Sequence, residues 1–356
     1  MTDSVDVVVI GAGPAGLYTA SQLVVAGLDI VVLEARDRVG GRLHSPVIGS
    51  ARFDLGATWF WDNEPLVNQL VSDRSLTTFA QHLDGDMLFQ TGAGVERIRG
   101  NQLDAPASRL VDGMQSIAES LLEEIPAEAV RLNDPVLSIS PHEQSLAVEA
   151  KGSSWSTEHV VLAVPPATAL NTIELGRSLP EQLRNLAAET PVWMGAATKI
   201  VAHYQRPFWR DSGLAGAAFS HLGPLREIHD MSGPGGDPAA IFGFAQPSAG
   251  AQPVTERDVL EQLEEIFGPY AARPIELLVA DWRTEQFTSP PGVERLGEYQ
   301  TYGHRLYQQP ALDGRLHWAS TETSVVAPGH TEGALAAASR AVGEILEGRS
   351  TVRSGS

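Results

Sequence analysis

The chain has 356 residues, a formal net charge of −19, 43% apolar residues and no cysteine. That length carries a large buried core, and the acidic balance repels nucleic acid and anionic membranes. The missing thiols exclude disulfides, thiolate catalysis and Cys-ligated metal.

The first elements are the most informative. An apolar run, Val7 to Ile10, meets Gly11, Gly13 and Gly16 in G-x-G-x-x-G spacing, and a helical pattern runs from Leu17 to Ala26. A second apolar run, Ile30 to Leu33, ends on the acid Glu34. Together these read as a strand–turn–helix–strand unit that holds an adenine dinucleotide. Gly11 makes the tight turn, Gly13 admits the pyrophosphate, Gly16 lets helix pack on strand, and Glu34 meets the adenosine ribose. The unit alone does not separate NAD from FAD.

Beyond it, Gly40-Gly41-Arg42 suits close backbone approach to an anion with a guanidinium beside it. Gly56-Ala57-Thr58 looks like room cleared for a flat ring, whereas Phe60 and Trp61 read as core aromatics. Residues 75–105 suggest a hairpin-like excursion. An amphipathic helix opens at Val111–Gln115 and runs to about Glu124, and Val130 to Ile139 reads as a strand pair element with Pro135-Val136 in it. His159–Val164 and Ala196–Tyr204 are further apolar strands, Glu256–Phe267 a helix and Leu277–Trp282 a buried strand. A strand at Leu316–Ala319, a Thr-Glu-Thr loop and a closing helix from Glu332 to Leu346 end the pattern. The tail after residue 350 is polar and expected to be disordered. No leader or transmembrane segment is apparent, so a cytoplasmic location is the default expectation.

Only two of the 25 basic residues are lysine, Lys151 and Lys199. A lysine inside the apolar strand Ala196–Tyr204 therefore needs a reason. An ammonium can lose its charge when buried, whereas a guanidinium cannot. The remaining histidines and acids show no metal spacing and no Ser-His-Asp order.

These residues resemble the flavin monoamine oxidase family, within the wider FAD amine oxidase and phytoene-desaturase-like group. The markers are Gly11–Gly16 with Glu34, Val39-Gly40-Gly41-Arg42, Asp54-Leu55-Gly56-Ala57, Lys199 with Pro207-Phe208-Trp209, Asp281-Trp282, and Thr321-Glu322-Thr323 followed by Glu332-Gly333-Ala334. The resemblance implies an α/β fold. A discontinuous Rossmann-like FAD-binding domain (1–75, 106–190 and 283–350) would interleave with a shortened α+β substrate domain (76–105 and 191–282), leaving 351–356 as tail.

It also implies FAD held by Gly11, Gly13, Pro14, Ala15, Gly16, Glu34, Ala35 and Arg36 at the adenosine end. Gly41 and Arg42 would approach the pyrophosphate, and Val136 the adenine through its backbone. Gly56, Ala57, Thr58 and Trp59 would sit by the isoalloxazine. Thr321, Glu322 and Thr331 would bind the ribityl chain and pyrimidine edge, and Trp282 would pack on the ring. Lys199 matches the family lysine that holds a water near flavin N5 and is linked to reaction with oxygen.

The implied reaction is hydride transfer from the carbon of an amine or amino acid to the flavin, giving an imine, with O2 reduced to hydrogen peroxide. Neither nucleic acid, membrane nor metal is implied, and a homodimer is compatible with the pattern.

Three departures follow from the same comparison. The covalent-flavin cysteine would fall near Pro291, so FAD should be noncovalent. The two flavin-facing aromatics of the substrate cage fall on Gly292 and His330, and the imidazole would orient a polar or acidic substrate or shuttle a proton. The excursion at 75–105 is shorter than the expected helical roof, which leaves the cavity shallow or closed by a partner chain. A dehydrogenase, desaturase or reduced-nicotinamide oxidase on the same fold, or a non-catalytic flavoprotein partner, remains an alternative.

Overall fold

A computed structural model describes residues 3–175, 178–245, 254–291 and 299–354. Two seven-stranded sheets organise them. The first has parallel strands Ser154–Leu162, Asp3–Ile10, Ile30–Leu33 and Val130–Arg131 in succession, the last at its edge, with Val7 beside Ile30 and His159. Leu316–Trp318 adds in parallel to the end of Ser154–Leu162. Val7 to Ile10 and Ile30 to Leu33 are buried throughout because both faces of this sheet are covered. Val7 and Val9 face the helices Pro14–Val25 and Gln115–Leu122 and the closing helix, while Val8 and Ile10 face Val136, Ile139 and Leu183. Each such valine or isoleucine contributes about 1.5–3 kcal/mol by leaving water.

The second sheet runs, in spatial order, Glu276–Asp281, Thr198–Tyr204, Ala239–Ala245, Leu225–Asp230, Leu214–Ser220, Asp86–Thr91 and Gly94–Ile98. Its last two strands are the hairpin expected at 75–105, joined in parallel to Leu214–Ser220 at the sheet's edge. The helix Glu256–Phe267 covers this sheet and starts on a capping box, Thr255 with Asp258. Phe53 and Leu55 form a cluster with Val201, Met231, Ala240 and Phe242, packed against the second sheet.

Two expectations change. Val130 to Ile139 holds two strands, but they do not pair with each other: Val130–Arg131 and Val136–His142 lie at opposite ends of the first sheet's pairing order. The break falls at Asn133, with φ of 59°, and Asp134, whose carboxylate accepts hydrogen bonds from Gly152 N–H and Ser153 Oγ. The closing helix runs from Thr331 to Ser354, past the point where a disordered tail was expected. No helix among the described residues is long and apolar enough to cross a membrane.

Candidate active site

One cavity runs from the glycine turn at Gly11 and Gly13 to an aromatic end at Trp59, Trp61, Trp193 and Phe244. Its first part is set by the strand–turn–helix geometry. Gly11 has φ of +100°, which a side chain rarely adopts, and a Cβ on Gly16 would sit 1.8 Å from Gly11 O. Gly16 therefore lies behind the wall, where it fixes helix to strand, while Pro14 and Ala15 line the cavity. No side chain caps the helix Pro14–Val25, so its first-turn N–H groups remain available to an anion.

Glu34, 3% exposed, accepts the Ala12 N–H on Oε2 at 2.7 Å and the Arg36 N–H on Oε1 at 2.9 Å. Each oxygen keeps a further lone pair for a hydroxyl. A dinucleotide fits this set: an uncapped helix start, glycine backbone in reach of phosphate, and a fixed carboxylate beyond. Gly16→Ala is expected to cost about 3 kcal/mol or more through this backbone overlap. Flavin retained after gel filtration measures it, and stoichiometric flavin in the variant would contradict this account.

Arg36 lines the cavity, but its guanidinium is held by Glu285 Oε2 at 2.9 Å and Thr288 Oγ1 at 2.7 Å. Arg42 also lines it, in a two-point pair with Glu322 at 2.6 and 3.1 Å. Glu322 itself is fully buried and does not line the cavity. It accepts from Arg42 and from the Trp193 N–H, so it positions those two residues rather than facing a ligand. Ala35 and Val136 are likewise outside the cavity wall; the Val136 side chain packs in the core with Leu33.

Gly41, Ala57, Thr58, Trp59, Thr321 and Thr331 line the cavity. So does Gly56, for a reason other than room for a ring: a Cβ there would meet Arg42 O at 1.9 Å. Thr321 Oγ1 donates to His330 O and accepts the Gly329 N–H, each at 2.8 Å, which fixes the loop entering the closing helix. Trp282 lines the cavity with its indole N–H on Leu55 O at 3.0 Å.

Lys199 sits mid-strand, between Phe244 and Ala280, and is 1% exposed. Its Nζ donates to Gly56 O at 2.9 Å and to Thr58 Oγ1, and lies 4.2 Å from the centre of the Phe242 ring. Burial pushes its pKa down to about 7; Asp54 opposes the shift and Arg109 adds to it. The same burial raises the pKa of Asp54, whose Oδ1 accepts from Ser45 Oγ and Met114 N–H.

At the aromatic end the sequence reading missed most of the wall. Phe60 is a core residue, as expected, but Trp61 lines the cavity beside Glu64, Trp193 and Met194. Trp193 lies against Gly329, where a Cβ would meet its ring at 2.5 Å. Aromatic walls are therefore present, supplied by Trp61 and Trp193. Gly292, the other expected cage position, lies outside the described residues, and no group of three metal-ligating side chains occurs among those described.

A family model for flavin-containing amine oxidoreductases matches residues 74–346, and one for NAD(P)-binding Rossmann-like domains matches 9–73. The chain belongs to the flavin-containing amine oxidoreductase family. It is 25% identical to a probable flavin-containing monoamine oxidase A of Dictyostelium discoideum, with 98% of each chain covered. A putrescine oxidase of Kocuria rosea is 24% identical over 96% of this chain and 95% of its own. The first alignment spans 461 positions against 356 residues here, so that relative carries segments with no counterpart in this chain.

Among solved structures, a putrescine oxidase bound to putrescine superposes with a TM-score of 0.85 at 21% identity, covering 98% of this chain and all of that one. Cyclohexylamine oxidase from Brevibacterium oxydans gives 0.85 at 22%, covering 97% and 99%. The fold is that of the FAD amine oxidases, mixed α/β with a Rossmann-like domain, and the chain is a flavin-dependent oxidoreductase.

Proposed function

We propose that this protein is an oxidase that takes an amine to its imine with noncovalent FAD and returns the electrons to O2 as hydrogen peroxide. The observation that carries the reading is Lys199, a buried lysine with a lowered pKa in the wall of a cavity that begins at a dinucleotide-binding turn. Bound FAD supplies the hydride acceptor and the contact with oxygen. The chain's own residues bind and orient. Glu34 takes the ribose, the helix start at Pro14–Val25 takes the pyrophosphate, and Ala57 and Thr58 flank the ring. Trp59, Trp61, Trp193 and Phe244 exclude water from the substrate end. With no cysteine in the sequence, no thioether to the flavin forms.

An amine is favoured over an amino acid because Arg36 and Arg42 are already engaged by Glu285 and Glu322. A net charge of −19 also draws cationic substrates toward the protein. Holoenzyme mixed with a panel of primary amines in air is expected to release peroxide in step with oxygen uptake. Turnover seen only with an artificial electron acceptor would make the protein a dehydrogenase instead.

A further inference from the structure

The aromatic end of the cavity holds a hydrogen-bonded pair, Glu64 and His330, away from the glycine turn. His330 Nδ1 lies 2.6 Å from Glu64 Oε1, and Glu64 Oε2 accepts the Trp61 backbone N–H at 3.2 Å. With Glu64 as a carboxylate both oxygens accept, which puts the hydrogen of the short contact on Nδ1. A neutral imidazole protonated on Nδ1 carries its lone pair on Nε2. That nitrogen has no partner among the described residues, and the His330 side chain is 36% exposed where Glu64 is 5% exposed. The ring lies 5.2 Å from the Trp61 ring and 6.0 Å from that of Trp193, centre to centre.

The contact is held from both sides. Glu64 immediately precedes the helix Pro65–Asp73, whose Leu66 and Val67 N–H groups are accepted by Glu332 at 3.1 and 2.9 Å. Glu332 lies two residues beyond His330, at the start of the closing helix. Gly333 allows that start to press against the preceding loop, since a Cβ there would meet Ala327 O at 2.4 Å. One carboxylate, Glu332, therefore ties together the two elements that bring Glu64 to His330.

We infer that Glu64 locks His330 as its Nδ1–H tautomer, so that Nε2 accepts a hydrogen bond from the substrate nitrogen while Trp61 and Trp193 face the cation. Glu64 is then a positioning residue and His330 a substrate-binding one. The inference rests on the amine reading of the same cavity. It requires an N–H on the substrate, which cation–π attraction alone does not.

Glu64→Gln inverts the arrangement. A carboxamide has one acceptor and one donor end, so accepting the Trp61 N–H turns its NH2 toward Nδ1 and moves the imidazole proton to Nε2. His330→Phe keeps an aromatic wall and removes both nitrogens, and it serves if the first variant folds poorly.

The test uses holoenzyme labelled with 15N-histidine, with the His330 resonances assigned by their loss in His330→Phe. Long-range proton–nitrogen spectra are expected to show Nδ1–H in the wild type and Nε2–H in Glu64→Gln. Anaerobic binding of benzylamine, read from the absorbance change before any bleaching, is expected to weaken by about tenfold or more in both variants. Benzyltrimethylammonium, which keeps the cation and lacks the N–H, should change by less than about threefold. An Nε2–H tautomer in the wild type, or equal weakening of the two probes, overturns the inference. Neither readout needs turnover, so failure to make peroxide with the tautomer intact would sink only the oxidase reading.

Discussion

Arg42→Met is expected to destabilise the folded protein by about 3–5 kcal/mol, because it leaves Glu322 as a buried carboxylate without a partner. Glu322 is fully buried, and its oxygens are served by two Arg42 N–H groups and the Trp193 N–H. Removing the guanidinium leaves one neutral donor for a whole charge. The contact spans 280 residues in sequence, so its loss also frees Trp193 and with it one wall of the cavity. The double variant Arg42→Met with Glu322→Leu should recover much of the loss, since an apolar pair of similar volume in place of a buried ion pair is often neutral. Urea unfolding of the three variants with saturating FAD measures this. Additive effects of the two substitutions would show that the pair does not act as one unit.

The sequence made some parts of this site readable because their cause is local. Gly11, Gly13, Gly16 and Glu34 lie within one strand–turn–helix–strand, where spacing alone sets geometry. Lys199 was conspicuous because the chain uses arginine at 23 of its 25 basic positions. The other parts depend on contacts that spacing cannot show. Glu64 meets His330 across 266 residues, and Glu332 caps a helix 265 residues earlier.

Two local readings failed for physical reasons. Gly56 suggested space for a ring, but its missing side chain is filled by the Arg42 backbone. The segment Val130 to Ile139 suggested a strand pair, yet Asn133 and Asp134 divide its two strands between the two ends of a sheet. Trp61 stood beside a true core aromatic, Phe60, and burial alternates along the chain there. Nothing in the residue type says which neighbour faces the cavity.

Lys199→Met is expected to remove a rise in stability with pH and to slow reoxidation of the reduced enzyme by O2. Lys199 is buried against Phe242, and burial lowers its pKa to about 7, against about 10.4 for an exposed lysine. Below pH 7 the side chain is charged in both folded and unfolded states, and the full cost of burying the ammonium weighs on the fold. As pH rises from 7 toward 10 the folded protein holds fewer protons than the unfolded chain, so stability increases. At 1.36 kcal/mol per pKa unit the gain reaches about 4–5 kcal/mol for this one group. The methionine variant has no such group, and its excess stability over wild type at pH 6 should shrink by that amount at pH 10.

Part of the excess at low pH is offset by Gly56 O and Thr58 Oγ1, which lose their donor in the variant. The comparison of slopes is therefore more decisive than either absolute value. Denaturation of both holoenzymes from pH 6 to 10 gives the slopes, and parallel curves would place the charge of Lys199 in water rather than in the wall. For reoxidation, loss of one polarised donor beside the ring is expected to cost about a hundredfold in rate. Stopped-flow mixing of reduced enzyme with oxygen reads this directly. An unchanged rate would leave Lys199 as a support for Thr58 and remove the main reason to read the protein as an oxidase.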